Sequence, residues 1–292
     1  MNRNLNAPGV VSGDASGEIF ETKNVSRETF RDSNPEKSDD LSVAGMIAES
    51  HRRMAPRFER IRRPLARIGV VKSPIGRLLV ALGEHGLLLI HFLDTYQPNE
   101  TAAAIATLRR ESDPIEDNAA VRGIGDEIGG LLDGDKNALT TPVDLSLIAS
   151  PFRRRVLDRL RRVPAGAVIS YQGLAAAAGT PAGSRAVGNT MATNPIPVYV
   201  PCHRVIRSDG SIGNYGGGVA AKMRLLRAEG FAIGTDRRFE SGVVLGHRGT
   251  HIFCNPECRA ATRADPAGMM IFAGAADAIQ AGMRACKLCR PV

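Results

Sequence analysis

The residues best suited to chemistry in this chain are neighbours: Cys202, His203 and Arg204. A cysteine thiol is a strong nucleophile even when only a few per cent of it is ionised at neutral pH, and a nearby imidazole or positive charge raises that fraction. Because adjacent side chains usually point apart, we expect His203 to act on the sulfur through a water molecule. Three prolines precede this group and make the backbone there rigid. A glycine cluster follows it, where a flat ligand can approach the backbone closely. These neighbouring residues favour a nucleophilic role for Cys202 over that of a buried structural cysteine.

Four other cysteines form two closely spaced pairs near the C-terminus, with the patterns C-x3-C and C-x2-C: Cys254, Cys258, Cys286 and Cys289. In a cytosolic chain, such spacing is more typical of metal ligands than of disulfides. Four thiolates suit tetrahedral Zn2+, and a segment of about 55 residues needs a stabilising element of this kind. The spacing therefore predicts a zinc site, with disulfides as the alternative.

Composition limits the classes of protein to which the chain belongs. Its 292 residues are enough for about two domains, and a hydrophobic fraction of 43% is ordinary for a globular protein. Lysine and arginine number 38 against 30 acidic residues, and the net charge of +8 favours nucleic acid or an anionic membrane as a partner. The sequence has no apolar run of about 18 residues and begins with polar residues, so we expect a cytoplasmic protein with no membrane partner.

The first half of the chain predicts a tail followed by an α/β unit. Residues 1–55 are polar and lack a periodic apolar stripe, which is typical of a disordered tail. Residues 66–148 form the predicted α/β N-terminal domain, with three short strands between residues 68 and 93 and helices over 101–111 and 119–135. We expect this domain to support the site rather than to carry its chemistry.

Residues 149–233 predict a mostly helical domain of winged-helix or helix-turn-helix type. A helix rich in arginine begins at Pro151, after the capping residue Ser150. Two short helices follow, YQGLAAAAG and GSRAVGNTMATN, separated by a turn that contains glycine. This spacing fits a helix-turn-helix motif or a plain helical hairpin. The arginine-rich helix beside them favours the DNA-binding motif.

Six segments resemble, in order along the chain, the O6-alkylguanine-DNA alkyltransferase family over roughly residues 66–233: ISYQGLA, SRAVGN, NPIP, VPCHRVI, GNYGGG and LLRAEG. The resemblance implies DNA repair by irreversible, stoichiometric transfer of the alkyl group of O6-alkylguanine, and of O4-alkylthymine, to Cys202. It implies no S-adenosylmethionine. His203 would take the thiol proton through water, and Glu229 would orient His203. Asn194 would join the recognition helix to the active-site strand, and Tyr171 would protonate the leaving guanine.

The same resemblance implies how the substrate is bound. The partner would be double-stranded DNA with alkylated bases, bound in the minor groove by a monomer that flips the damaged nucleotide out of the stack. Arg185 would fill the gap in the stack, and the other implied DNA contacts are Tyr171, Ala186 and Arg204. The guanine pocket would be formed by Tyr215, Gly216, Gly217 and Val200. Some members have serine where this chain has Gly216, so the resemblance predicts a roomier pocket here.

Residues 236–292 are similar to the zinc-binding domain of Ada proteins, and we assign residues 234–292 to a small zinc-stabilised α+β domain. The resemblance implies that Cys254 both binds zinc and accepts a methyl group from a DNA phosphotriester. Asn255 stands where the family has a basic residue, and Glu257 where it has a small polar one. Extra negative charge opposes the approach of a phosphate, so a structural or DNA-binding zinc domain is the alternative.

Three other functions stay open from the sequence. A non-enzymatic alkyltransferase-like protein would bind lesions without repairing them, but such proteins lack the acceptor cysteine that this chain has at residue 202. A methylation-sensing DNA-binding regulator of the Ada kind would require a response to methylated phosphates. A cysteine hydrolase would turn over many substrates, and a single Cys-His pair beside a DNA-binding motif argues against it.

Overall fold

The computed structural model of the chain describes residues 63–240 and 242–291. The predicted disordered tail, residues 1–55, lies outside the described residues. Within the two described ranges, no helix is both long enough and apolar enough to cross a membrane.

The first sheet has the strand order β3-β2-β1-β4. Its strands are β1 (Leu65–Ser73), β2 (Gly76–Gly83), β3 (Gly86–Phe92) and β4 (Asp113–Glu116). Strands β1, β2 and β3 form an antiparallel meander, and β4 runs parallel to β1. The meander lies where the sequence predicts it. Strand β4 is absent from that prediction, because Asp-Pro-Ile-Glu contains too few strand-forming residues to show a pattern.

Helices cover both faces of this sheet. They are α1 (Pro98–Glu111), α2 (Asn118–Val121) and α3 (Gly123–Leu132). Leu79 and Ala81 of β2 pack in one apolar cluster with Leu108 of α1, whereas Leu78 and Val80 pack in the main core with residues of α3. Because alternate residues of a strand point to opposite faces, a strand covered on both sides is apolar throughout. The middle of β2, residues 78–81, is therefore buried on both faces of the sheet.

The second part of the chain holds the predicted helix-turn-helix. Its elements are α4 (Pro151–Leu160), β5 (Ala167–Ser170), α5 (Tyr171–Ala177), α6 (Ser184–Ala192), β6 (Val205–Ile206) and α7 (Gly218–Ala228). The Ser150 side chain accepts a hydrogen bond from the N–H of Arg153 at 3.4 Å and so caps α4. The Ser170 side chain caps α5 in the same way. Gly179 has a φ of +78°, the left-handed conformation that ends α5 and starts the turn to α6.

The C-terminal part completes a second sheet rather than forming a separate one. Its elements are β7 (Val244–His247), β8 (Ile252–Cys254), α8 (Arg259–Thr262), β9 (Met269–Phe272), α9 (Ala275–Gln280) and β10 (Arg284–Ala285). The sheet has the order β10-β8-β7-β9-β5-β6, because β9 pairs antiparallel with β5. One apolar core runs through all three parts of the chain and includes Phe92, Leu174, Val200 and Phe272. The predicted fold class is confirmed, and the shared sheet is an addition to it.

Candidate active site and metal centre

The loop of residues 193–201 leads to Cys202, which begins a turn of 3-10 helix. Contacts on both sides hold this loop in place. The free edge of β3 holds this loop, since the N–H of Ile90 donates to the carbonyl of Pro195 at 2.8 Å. The Tyr199 hydroxyl donates to Glu127 of α3 at 2.6 Å. Between them, Val198 is fully buried with a φ of +77°, a conformation that costs a β-branched residue about 1–3 kcal/mol. Packing therefore holds the loop in a strained shape beside the thiol.

The sulfur of Cys202 is almost enclosed, with 7% of the residue exposed. Asn194 Nδ2 donates to Cys202 Sγ at 3.1 Å and to the carbonyl of Val200 at 2.8 Å. Burial raises the pKa of the Cys202 thiol, while the bond from Asn194 and the positive charge of Lys222 oppose that rise. The resting residue is therefore a thiol, in a setting that favours the thiolate once the proton leaves.

His203 and Glu229 form a completely buried pair. Neither residue is exposed at all, and His203 Nε2 lies 2.9 Å from Glu229 Oε1. Burial acts to raise the pKa of Glu229, but the charge of Arg204 and the bonds from His203 and Arg204 outweigh it and lower the pKa to about 2. Glu229 is thus an ionised acceptor, so His203 Nε2 must carry the proton that they share.

The opposite nitrogen of this imidazole is available as a base. Burial lowers the pKa of His203, and Glu229 only partly offsets that effect, so the ring is neutral at neutral pH. With the proton on Nε2, Nδ1 keeps its lone pair. His203 Nδ1 is buried and has no hydrogen-bond partner among the described residues. The geometry thus leaves a base inside the protein that has no partner among the described residues, and its action through a water stays a prediction.

Arg204 belongs to this buried network. Its Nε and Nη2 atoms donate to the Glu229 carboxylate at 2.7–3.1 Å, and Nη1 donates to the carbonyl of Val163 at 2.6 Å. Only 8% of Arg204 is exposed. The structure does not support the expectation that Arg204 contacts DNA, because its guanidinium is already paired and faces the interior. Its role in this structure is to hold the Glu229 carboxylate.

Lys222 is a site residue that the sequence analysis missed. It is fully buried in α7, and its Nζ atom donates to the carbonyls of Val205 at 2.6 Å and Asn214 at 3.4 Å. Burial lowers the pKa of Lys222 to about 8, and Cys202 opposes this shift. One signal was present in the sequence: Lys222 lies three and four residues before the buried Leu225 and Leu226, on the apolar stripe of the helix.

The predicted guanine pocket is lined by aromatic rings. The ring of Tyr215 packs edge-on against His203, with centroids 6.3 Å apart, and against Phe92 at 5.8 Å. The Tyr215 hydroxyl is buried and has no hydrogen-bond partner among the described residues. An unpaired buried hydroxyl in a ligand pocket is a natural contact for a polar ligand atom.

Two details of the pocket differ from expectation. The carbonyl of Val200 accepts bonds from Asn194 and from the N–H of Cys202, so both of its lone pairs are used within the protein. Val200 thus positions Asn194, and its contact with guanine stays a prediction. The space beside Gly216 is not open either, because a Cβ there would overlap the Tyr96 hydroxyl. The extra room predicted beside Gly216 is therefore occupied by Tyr96.

The implied DNA-binding residues lie on one helix face and at one helix start. Arg185 and Ala186 of α6 are exposed, while Val187 and Met191 of the same helix are buried. Tyr171 is the first residue of α5 and is half-buried. Burial raises the pKa of Tyr171, and Cys202 adds to the rise. A negative charge at Cys202 therefore favours the protonated form of the Tyr171 hydroxyl.

The four C-terminal cysteines converge on one point. Their Sγ atoms all lie within 4.8 Å of one another. Zn2+ bound by four thiolates has Zn–S bonds of about 2.3 Å, which places the sulfurs at similar separations. The N–H of Asn255 also donates to Cys289 Sγ at 3.4 Å, which is a typical outer contact of a metal-bound thiolate. The donor set and its spacing fit zinc.

Comparisons with known proteins relate the chain to one family. The family model "6-O-methylguanine DNA methyltransferase, DNA binding domain" matches residues 151–231, and the model "Metal binding domain of Ada" matches residues 232–292. A methylated-DNA–protein-cysteine methyltransferase of Rattus norvegicus is 38% identical over 184 residues, which cover 56% of this chain and 82% of that protein. The chain belongs to the methylated-DNA–protein-cysteine methyltransferase family.

Two further proteins are similar to this chain over about half of its length. The bifunctional transcriptional activator/DNA repair enzyme Ada of Escherichia coli is 35% identical over 168 residues, 56% of this chain and 45% of Ada. The crystal structure of Mycobacterium tuberculosis OGT in complex with DNA is 32% identical, with a TM-score of 0.47, and covers 56% of this chain and 92% of that one. Membership of the family sets aside a cysteine hydrolase.

Proposed function

We propose that this methyltransferase repairs DNA by moving the alkyl group of O6-alkylguanine, and of O4-alkylthymine, to Cys202 in a single irreversible step. The observation that carries the proposal is a buried thiol at Cys202 followed in the chain by the buried His203, whose Nδ1 is unpaired among the described residues and whose Nε2 lies 2.9 Å from the Glu229 carboxylate. A nucleophile, a base and a residue that orients the base are the three parts that an activated thiol needs.

The proposed transfer forms one bond and breaks another. The bond from Cys202 Sγ to the alkyl carbon forms while the bond from that carbon to guanine O6 breaks. His203 Nδ1 takes the thiol proton through water, and Glu229 stabilises the resulting imidazolium. The Tyr171 hydroxyl gives a proton to guanine N3, so neutral guanine leaves. The proton on His203 then reprotonates Tyr171. Because the product is a thioether, each protein molecule reacts once.

The surroundings of the sulfur support this chemistry electrostatically. The bond from Asn194 and the charge of Lys222 both favour a thiolate over a thiol. The raised pKa of Tyr171 keeps its hydroxyl protonated until the leaving group needs the proton. The Tyr215 hydroxyl, which is buried and has no partner among the described residues, offers a hydrogen bond to the guanine.

The way in which DNA is bound is proposed from the exposed face of α6. Arg185 and Ala186 point outward from a helix whose opposite face is buried. We propose that a monomer lays this face in the minor groove, that the damaged nucleotide flips into the pocket, and that Arg185 takes its place in the stack. Extrusion costs a few kcal/mol, and less for a damaged pair, which contributes to selectivity.

The C-terminal region is proposed as a zinc domain held by Cys254, Cys258, Cys286 and Cys289. When bound, zinc keeps these thiols deprotonated and fixes the fold around them. We further propose Cys254 as a second acceptor, for methyl groups of DNA phosphotriesters. Cys254 is 5% exposed, but it borders a cavity of about 270 Å3 that gives a small group access to its side of the cluster.

Peptide mass analysis tests both acceptors in one design. The protein is incubated separately with duplex DNA that contains O6-methylguanine and with DNA that carries methylated phosphates, and is then digested. We expect one methyl group on the Cys202 peptide after the first incubation and one on the Cys254 peptide after the second. No label on Cys202 would refute the repair function. No label on Cys254 would assign a structural role to the zinc domain. Cys202→Ser is the control for the first incubation.

A further inference from the structure

The backbone at Gly216 touches a side chain that comes from the N-terminal domain. A Cβ atom at residue 216 would overlap the hydroxyl of Tyr96 and would lie 3.3 Å from its ring carbon Cζ. Beside it, a Cβ atom at residue 217 would lie 2.6–2.8 Å from ring atoms of Phe92. Two aromatic side chains from β3 and the loop after it therefore occupy the space that side chains at the two glycines would need.

Tyr96 is held firmly in this position. Its ring stacks on that of His91, with centroids 4.4 Å apart and an angle of 17° between the planes. His91 Nε2 is in turn 3.0 Å from the hydroxyl of Thr101 in α1. The N–H of Tyr96 donates to the carbonyl of Phe92 at 3.2 Å. Burial raises the pKa of Tyr96 and Cys202 adds to the rise, so the phenol and the reactive thiol lie within electrostatic reach.

A cavity borders Tyr96. It has a volume of about 440 Å3 and is lined mainly by apolar side chains, with Tyr96 and Asn194 in its wall. Asn194 also bonds to Cys202 Sγ, so one residue in the cavity wall is in contact with the reactive atom. Cys202 and Tyr215 do not line this cavity, whereas Tyr96 lines it and also contacts Gly216 of the predicted guanine pocket through its hydroxyl.

From this arrangement we propose that Tyr96 is a specificity-determining residue that limits the size of the O6 substituent able to reach Cys202. The inference rests on the proposed function of Cys202 as the alkyl acceptor. The hydroxyl of Tyr96 takes the place of a side chain at residue 216, and its side chain also lines the neighbouring cavity. The N-terminal domain thus contributes to substrate choice as well as to support.

The first test enlarges the pocket through Tyr96→Ala. Rates of alkyl transfer to Cys202 are measured with free O6-benzylguanine and with O6-methylguanine in duplex DNA, and the ratio of the two rates is compared. We expect Tyr96→Ala to raise the benzyl-to-methyl ratio by at least about tenfold, the usual effect of added room in an apolar pocket. Leu147→Ala is the matched control, because it enlarges the same cavity and leaves Tyr96 in place.

The second test uses the contact at Gly216 and does not depend on Tyr96→Ala being stable. Gly216→Ala alone should slow transfer from both substrates by about tenfold or more, because the new methyl group meets the Tyr96 hydroxyl. Tyr96→Phe removes that hydroxyl and leaves the ring carbon 3.3 Å from the new Cβ. The double variant should therefore recover most of the rate that Gly216→Ala loses.

The outcomes separate the inference from the function on which it rests. Equal ratios for the wild type, Tyr96→Ala and Leu147→Ala would overturn the inference, and so would an equal loss from Gly216→Ala in the presence of tyrosine or phenylalanine at residue 96. If the wild-type protein transfers no alkyl group to Cys202 from either substrate, the proposed function itself is refuted, and the inference with it.

Discussion

Replacement of Glu229 by glutamine should destabilise the protein by an amount that depends on pH. The carboxylate is fully buried and its pKa is lowered to about 2 from an ordinary value of 4.5. Each unit of such a shift corresponds to about 1.4 kcal/mol, so ionised Glu229 contributes about 3 kcal/mol to the free energy of unfolding near neutral pH. Leaving the buried Arg204 without its partner predicts a loss of similar size, about 3–5 kcal/mol.

The sign of the pH dependence follows from the direction of the shift. Because the folded-state pKa of Glu229 lies below the unfolded value, its contribution is complete above about pH 4.5 and is lost as the pH falls toward about 2. Glutamine does not titrate. The difference in unfolding free energy between the wild type and Glu229→Gln should therefore be largest near neutral pH and should shrink through this acidic window.

Urea unfolding followed by circular dichroism, at a series of pH values and a fixed zinc concentration, measures this difference. Any loss of zinc in acid affects both proteins and cancels in the comparison. Asp209→Asn is the matched control, since its carboxylate is exposed in a surface ion pair with Arg238, and we expect little change. A loss below about 1 kcal/mol for Glu229→Gln at neutral pH, or a difference that does not vary with pH, would refute the assigned network.

Three other predictions follow from the same structure. Lys222→Met should slow alkyl transfer at neutral pH and move the pH–rate profile to higher pH, because it removes a positive charge that favours the Cys202 thiolate; an unmoved profile would contradict this role. Arg185→Ala should slow repair of O6-methylguanine in duplex DNA by about tenfold or more but leave the reaction with free O6-benzylguanine unchanged, and equal effects on both would place Arg185 in the pocket instead. Removal of zinc by a chelator should lower the calorimetric melting temperature of the whole described fold, because β9 pairs with β5; two independent transitions, with the first part unaffected, would argue against this.

The parts of the site that are close in sequence were predictable, and those that depend on distant contacts were not. Cys202 and His203 stand together in a distinctive segment, and the structure brings Glu229 and Asn194 to them. The sequence gives no sign that Tyr96 reaches Gly216, because nothing local connects the loop after β3 with the glycine cluster. Such a contact is set by packing between domains rather than by any short pattern.

Charged residues in the interior were the main source of error. Arginine next to an active-site cysteine in a basic protein suggests a phosphate contact, and yet Arg204 is buried against Glu229. Lysine is rarely buried completely, so the place of Lys222 on the apolar stripe of α7 was not enough to predict its burial. In both cases the decisive fact is a partner contributed by another element of the fold, and a sequence does not show it.

The fold shows the same division between local and distant information. The meander of β1 to β3, the capped helix α4 and the helix-turn-helix could all be predicted from apolar spacing and from capping residues. The pairing of β5 with β9 could not, since Val168 and Ile271 meet only after about a hundred residues have folded between them. This pairing makes the zinc region part of the sheet from which Tyr171 and α5 begin.

The central claim is that a buried thiol at residue 202 receives the alkyl group and is consumed by doing so. Its most direct test is a titration of the zinc-loaded protein with an excess of duplex DNA that carries labelled O6-methylguanine, in which the label bound to protein and the guanine restored in DNA are counted together. We predict a plateau at one methyl group per protein molecule, located on Cys202, with no label on Cys202→Ser. Restoration of many guanines by each protein molecule, or unchanged repair by Cys202→Ser, would contradict the claim.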